Sequence, residues 1–338
     1  AWTDVTAAVP GVPEGTWVSH VEPSPLDAAT AHLAFDGHRT GDMATYVFRT
    51  EDHGASWTSL ASDGLEGYVH VIVQDPVRGD LLYAGTEYGL YLSIDGGAHW
   101  ARFDRGIPRV PVHDIDVHPR DHDLIVGTHG RGIYILDDLT PLRALTTETL
   151  ASKVALLPSR DAVMTLNAST FGFPGQDEFV GRNPPEAASI VYYLARRHIF
   201  GDLKVEILGD DGEVLATVPG GKLKGINRVD WPMRLPAPDM PPATALAPAF
   251  LGPRVPEGTY RFRVTKGKET LEGSVRLVPD PRSSHTAEDR AMQQTTALEL
   301  YDMLTRLTYV VDATIDLRDR AGDRRDAPGT KSRVATRL

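Results

Sequence analysis

The spacing of apolar and polar positions changes character three times along the chain. Over residues 1–140 the apolar residues fall in short β-branched runs. Val69-His70-Val71-Ile72-Val73 is followed by runs at 81–85 and 89–93, separated by a Pro76–Asp80 turn and a Glu87-Tyr88 turn. Runs of this length bounded by turn residues predict strands. Residues 188–282 also read as strand and turn, with strands at 189–195, 203–208, 213–218, 225–231, 259–265 and 269–277. There Tyr260, Phe262 and Val264 alternate with Arg261, Arg263 and Thr265, so one face is buried and the other wet. From 286 to 320 the period becomes 3 or 4. Leu298, Tyr301, Leu304, Thr308, Val311 and Ile315 share one helix face, and Thr286 with Asp289 forms a capping pair. Such a helix packs on the domains or pairs with another helix.

Within the first region the strands repeat. Thr50-Glu51-Asp52-His53-Gly54-Ala55-Ser56-Trp57 matches Ser93-Ile94-Asp95-Gly96-Gly97-Ala98-His99-Trp100, with the two Asp and the two Trp each 43 positions apart. Val69 and Val112, Ile72 and Ile115, Pro76 and Pro119, and Tyr91 and Tyr134 keep the same spacing. A looser copy begins at Val18 and carries an insertion near 36–45. A unit of about 40–45 residues made of four short strands is the signature of a β-propeller blade. The octet has its own logic: Asp accepts backbone N–H bonds across a hairpin turn, Gly takes a positive φ, and Trp packs beneath. About three units precede residue 141, whereas closed propellers have about 4 to 8. An upstream half is therefore expected, or a second chain that completes the ring.

The octets resemble the Asp-box, or BNR, repeat of sialidases, sortilin-type propellers and xyloglucan-cleaving hydrolases. Further runs extend the resemblance: Val112-His113-Asp114-Ile115-Asp116-Val117-His118-Pro119-Arg120, Gly127-Thr128-His129-Gly130-Arg131-Gly132, Gly225-Ile226-Asn227-Arg228-Val229-Asp230-Trp231 and Pro256-Glu257-Gly258-Thr259-Tyr260. In this order the chain resembles the C-terminal part of large bacterial proteins labelled glycosyl hydrolase with BNR or sortilin-like repeats. The resemblance implies a secreted or periplasmic protein. It also implies a structural role for the box residues Thr50, Asp52, Gly54, Trp57, Ser93, Asp95, Gly97 and Trp100. The expected fold is mainly β: the last blades of a propeller over 1–140, a linker packing on the next domain over 141–187, an immunoglobulin-like β-sandwich over 188–282, a long helix over 283–321 and a flexible tail over 322–338.

Charge and composition narrow the partners. The net charge of −11 argues against general nucleic-acid binding, and the basic residues Arg324, Arg325, Lys331, Arg333 and Arg337 read as a solvated terminus. No stretch approaches the roughly 18 apolar residues of a membrane span. The chain has no cysteine, which excludes disulfides, thiolate metal sites and cysteine nucleophiles.

Candidate chemistry gathers where the units are aligned. One face of the first strand of each unit carries His20 and Glu22, then Val71 and Val73, then Asp114 and Asp116. His118 follows on the face of Asp114 and Asp116, and His129 and Arg131 sit on the next Gly-rich turn. If these strands are innermost, the group lines the propeller channel or its mouth. Three readings stay open. Glycoside hydrolysis wants two carboxylates about 5–10 Å apart, and Asp114 with Asp116 meets that distance as any i, i+2 pair does. A metal site would draw on His113, Asp114, Asp116, His118, His122 and His129, although His113 points opposite to Asp114 and the spacing matches no strong motif. The third reading is a non-catalytic segment that binds a glycan or peptide, with Arg261, Arg263, Tyr192 and Tyr193 as further contact candidates on the sandwich. The third is preferred, with no cofactor expected.

Overall fold

A computed structural model describes residues 3–165, 181, 183–240 and 251–327. The expectations for 171–175 and for Lys331, Arg333 and Arg337 lie outside the described residues. The protein is mainly β, with several small antiparallel sheets and one long C-terminal helix. It divides into two compact units, 1–160 and 161–338.

The first unit holds three sheets in chain order. The first is β1 (Trp17–Pro23), β2 (Ala31–Asp36), β3 (Tyr46–Thr50) and β4 (Thr58–Ser59). The second is β5 (Val69–Gln74), β6 (Leu82–Thr86), β7 (Gly89–Ser93) and β8 (Ala101–Arg102). The third is β9 (Val112–Val117), β10 (Leu124–Thr128) and β11 (Ile133–Leu136). Every sheet is an antiparallel meander whose first strand lies at one edge. The sheets pack face to face. Ala34, Val47 and Leu60 of the first side meet Ile72, Leu82, Ala84 and Tyr91 of the second in one buried cluster. Gly85 permits an equally close approach to the third sheet, since a Cβ there would come within 2.6 Å of the Val112 carbonyl.

The two octets fold alike. Thr50 Oγ1 donates to Asp52 Oδ1 at 2.8 Å and accepts from Gly54 N, and Asp52 Oδ1 accepts from Ser56 N at 2.9 Å. Ser93, Asp95, Gly97 and His99 repeat these contacts. Gly54 and Gly97 take φ of 85° and 90°, the left-handed turn conformation their positions require. The tryptophans differ. Trp100 is buried and donates Nε1–H to Leu60 O of the first sheet's side at 2.9 Å. Trp57 is half-buried against Leu33, Phe35 and Phe48.

The chain leaves β11 through α1 (Thr140–Arg143), α2 (Thr147–Ala151) and β12 (Val154–Leu157). The boundary between the units thus falls inside the segment expected as a linker, and 141–160 belongs to the first unit. Arg143 Nε donates to both oxygens of the fully buried Asp75 at 2.9 and 3.0 Å, and Arg78 donates to the carbonyls of Arg143 and Leu145.

In the second unit β14 (Ala188–Leu194) pairs with β17 (Gly225–Trp231). A five-stranded sheet runs β13 (Ala162–Met164), β19 (Glu269–Pro279), β18 (Gly258–Lys266), β15 (Leu203–Leu208) and β16 (Val214–Pro219). Its β13–β19 edge is parallel. The helix α3 (Ala287–Asp326) opens with Thr286 and Asp289 in a reciprocal capping box. It continues past the expected end at 321, carrying the first part of the expected tail.

Candidate functional site

The edge strands β1, β5 and β9 neighbour one another, and they carry the residues aligned by the repeat. Ser19 Oγ bridges the first two by donating to Val69 O at 2.7 Å. His20 is partly buried. Burial lowers its pKa, while the Asp114 carboxylate and the Ile72 backbone pull the other way. Glu22 is shifted up: burial is the main cause, opposed by the Gln74 backbone and reinforced by Asp116. The arrangement therefore couples His20 to Asp114 and Glu22 to Asp116. Asp114 and Asp116 are exposed, whereas Val71 and Val73 of the intervening strand are buried.

The other candidates go elsewhere. His118 turns to Asp121, accepting from its backbone N–H at 3.1 Å and lying 3.5 Å from its carboxylate. His129 tilts against His113, with ring centroids 5.4 Å apart. Arg131 is exposed on its turn. The metal reading is not met: among the described residues no group of three or more His, Asp or Glu side chains is placed to hold an ion.

A second constellation is absent from the sequence reading. Rings on two strands and on the loops beside them form a row: His38 stacks on Tyr68 at 4.8 Å, Tyr68 meets His70 edge-on at 5.1 Å, His70 stacks on His113 at 4.1 Å, and His113 reaches His129. Carboxylates flank the row. Asp36 accepts from His38 Nδ1 at 2.6 Å, and Glu87 accepts from Tyr68 Oη at 2.9 Å and lies 3.5 Å from His70 Nε2. Burial and then Glu87 push the Tyr68 hydroxyl up to about 12. His70 is lowered by burial and by its neighbour His113.

The backbone explains the row. The ladders skip one residue between Val18 and His20, between Val69 and Val71, and opposite the Gly127/Thr128 step of β10. Ser19, His70 and His113 are these extra residues. A β-bulge leaves its extra residue unpaired and re-aims its side chain. His70 and His113 are 43 positions apart, so the repeat itself held the signal.

No protein-family profile matches the chain, and no curated protein matches it. Solved structures do. The GH74 xyloglucanase from Xanthomonas campestris aligns over 40% of this chain and 24% of its own, at 20% identity and a TM-score of 0.33. An ancestral GH74 enzyme aligns over 81% of this chain and 31% of its own, at 17% identity and a TM-score of 0.30. A GH74 enzyme from Niastella koreensis aligns over 76% and 38%, at 10% identity and a TM-score of 0.29. The chain thus spans between about a quarter and two fifths of the length of these structures.

Proposed function

We propose that residues 1–140 are blades of an Asp-box β-propeller, completed by upstream blades of a longer secreted or periplasmic protein. In this reading the second unit carries an immunoglobulin-like sandwich, and the segment binds a glycan or a peptide without cleaving it. The observation that carries the proposal is the exposure of Asp114 and Asp116 beside the half-buried His20 and Glu22. Exposed carboxylates accept hydrogen bonds from sugar hydroxyls or peptide N–H groups, and a histidine beside them can donate.

One observation favours a second reading, glycoside hydrolysis. Glu22 is held protonated to higher pH than usual, next to a carboxylate that is exposed, and a general acid paired with a base requires that separation. A single experiment divides the readings. The chain is titrated with plant and microbial polysaccharides, sialosides and peptides while reducing-end release is followed. Saturable binding without release, weakened at least tenfold in Asp114→Asn/Asp116→Asn, is the expected result. Release of sugar that Glu22→Gln abolishes would replace the binding reading with the hydrolase.

A further inference from the structure

The helix α3 carries two apolar stripes. Gln294, Ala297, Tyr301, Leu304, Thr308, Val311 and Ile315 are partly or fully buried, and Thr308 Oγ1 donates to Asp239 O at 2.7 Å. One residue out of step runs a second series: Leu300, Met303, Leu307, Val310, Thr314 and Leu317. Its steps alternate three and four, the heptad spacing of a coiled-coil seam in which Leu300, Leu307 and Thr314 are a positions and Met303, Val310 and Leu317 are d positions. The five large side chains of this series are between 50% and 66% exposed. The seam runs for about 26 Å at 1.5 Å per residue.

We infer that this seam pairs with the same seam of a second copy of the chain, as an antiparallel two-helix coiled coil. The flanking charges select both partner and direction. The g positions are Glu299, Arg306, Ala313 and Arg320, and the e positions are Leu304, Val311 and Arg318. In a parallel pair, g faces e of the next heptad, which sets Glu299 against Leu304 and Arg306 against Val311, with no opposite charges joined. Antiparallel pairing centred between Leu307 and Val310 sets a against d: Leu300 meets Leu317, Met303 meets Thr314 and Leu307 meets Val310. Each g then faces a g, so that Glu299 meets Arg320 twice per dimer, while Leu304 and Val311 at e stay on the partly buried stripe. Arg320 pairs with Asp316 on its own helix, but both are well exposed, so its redirection costs little. Ten large side chains bury on the order of 1,000 Å² in all, near the lower bound for a specific interface.

Sedimentation velocity of the 338-residue chain from about 1 to 200 μM tests the inference. A concentration-dependent shift from monomer to dimer is expected. Leu307→Asp, exposed enough to leave the fold intact by circular dichroism, holds the chain monomeric. Glu299→Arg weakens the dimer about tenfold, and adding Arg320→Glu restores it. The native chain has no cysteine, so direction is read from a short bis-maleimide added to mixed Met303→Cys and Thr314→Cys chains. Antiparallel pairing joins one variant to the other. A chain monomeric throughout, a dimer that survives Leu307→Asp, or Met303→Cys joined mainly to itself would each overturn the inference.

Discussion

Trp57 and Trp100 occupy the same place in two copies of one octet, yet their surroundings differ. Trp100 is buried among Leu60, Leu65 and Val69, and its indole N–H reaches a carbonyl belonging to the preceding sheet. It therefore joins two sheets. Trp57 is half-buried and its indole nitrogen has no hydrogen-bond partner among the described residues. Trp100→Ala removes a large buried side chain and its hydrogen bond to Leu60 O, which keeps only the Ser62 backbone N–H as donor, and is expected to cost about 3–5 kcal/mol. Trp57→Ala leaves less buried volume behind and is expected to cost clearly less. Urea unfolding of both variants tests the order, and equal losses would remove the distinction. The sequence showed both tryptophans and the register of the octet. It did not show which copy is preceded by a sheet that covers it, because that depends on Leu60, 40 positions back.

At the scale of elements, strands were the more legible part of the chain and the bulges the less. A run such as Val69–Gln74 announces a strand by its β-branched residues. Strict alternation along it then assigns His70 to the face opposite Val71. One extra residue in the ladder breaks that assignment locally, and nothing in residue type marks it. The row from His38 to His129 was hidden for this reason, although its two central members repeat at the unit's own period. The helix was legible as an amphipathic stripe, but Leu298, placed on that stripe by spacing, is exposed, and Ala297 takes the covered position. A small residue gives a weak periodic signal even where it is buried.

The link between α1 and the second sheet was not legible either. Asp75 is fully buried and accepts from Arg143 Nε, from the backbone of Val77 and Arg78, and from Tyr83 Oη at 3.2 Å. A buried carboxylate is tolerated only when so fully partnered. Asp75→Ala leaves the Arg143 guanidinium buried without its counter-ion, at an expected cost of about 3–5 kcal/mol. Arg143→Ala added to it should restore part of that loss, since the double variant no longer buries a lone charge. Denaturant unfolding of the four chains in the cycle gives the coupling energy, and strictly additive losses would mean that the pair does not act as a pair.

The whole molecule distributes its buried histidines unevenly, and this gives its first unit a specific weakness to acid. His32 is fully buried with both ring nitrogens unpartnered among the described residues, and burial together with Arg49 lowers its pKa to about 4. His20 and His70 are also lowered, each chiefly by burial. A histidine whose folded pKa lies below its unfolded value binds a proton less readily when folded. Its contribution to stability is complete above the unfolded pKa near 6.5 and is lost as the pH falls toward the folded value. For His32 alone the loss between pH 8 and pH 5 is about 2 kcal/mol, and His20 and His70 add to it in the same window. All three belong to the three-sheet unit, and His20 and His70 lie on the strands that carry the candidate site. Hydrogen exchange followed by mass spectrometry, corrected for intrinsic rates, is expected to show β2, β5 and β6 losing protection between pH 7 and pH 5 while β14 and β17 hold theirs. His32→Leu should recover most of that protection in β2, because it removes the proton acceptor and keeps the apolar volume. Equal loss in both units, or no recovery in the variant, would mean that carboxylates rather than these histidines set the acid limit.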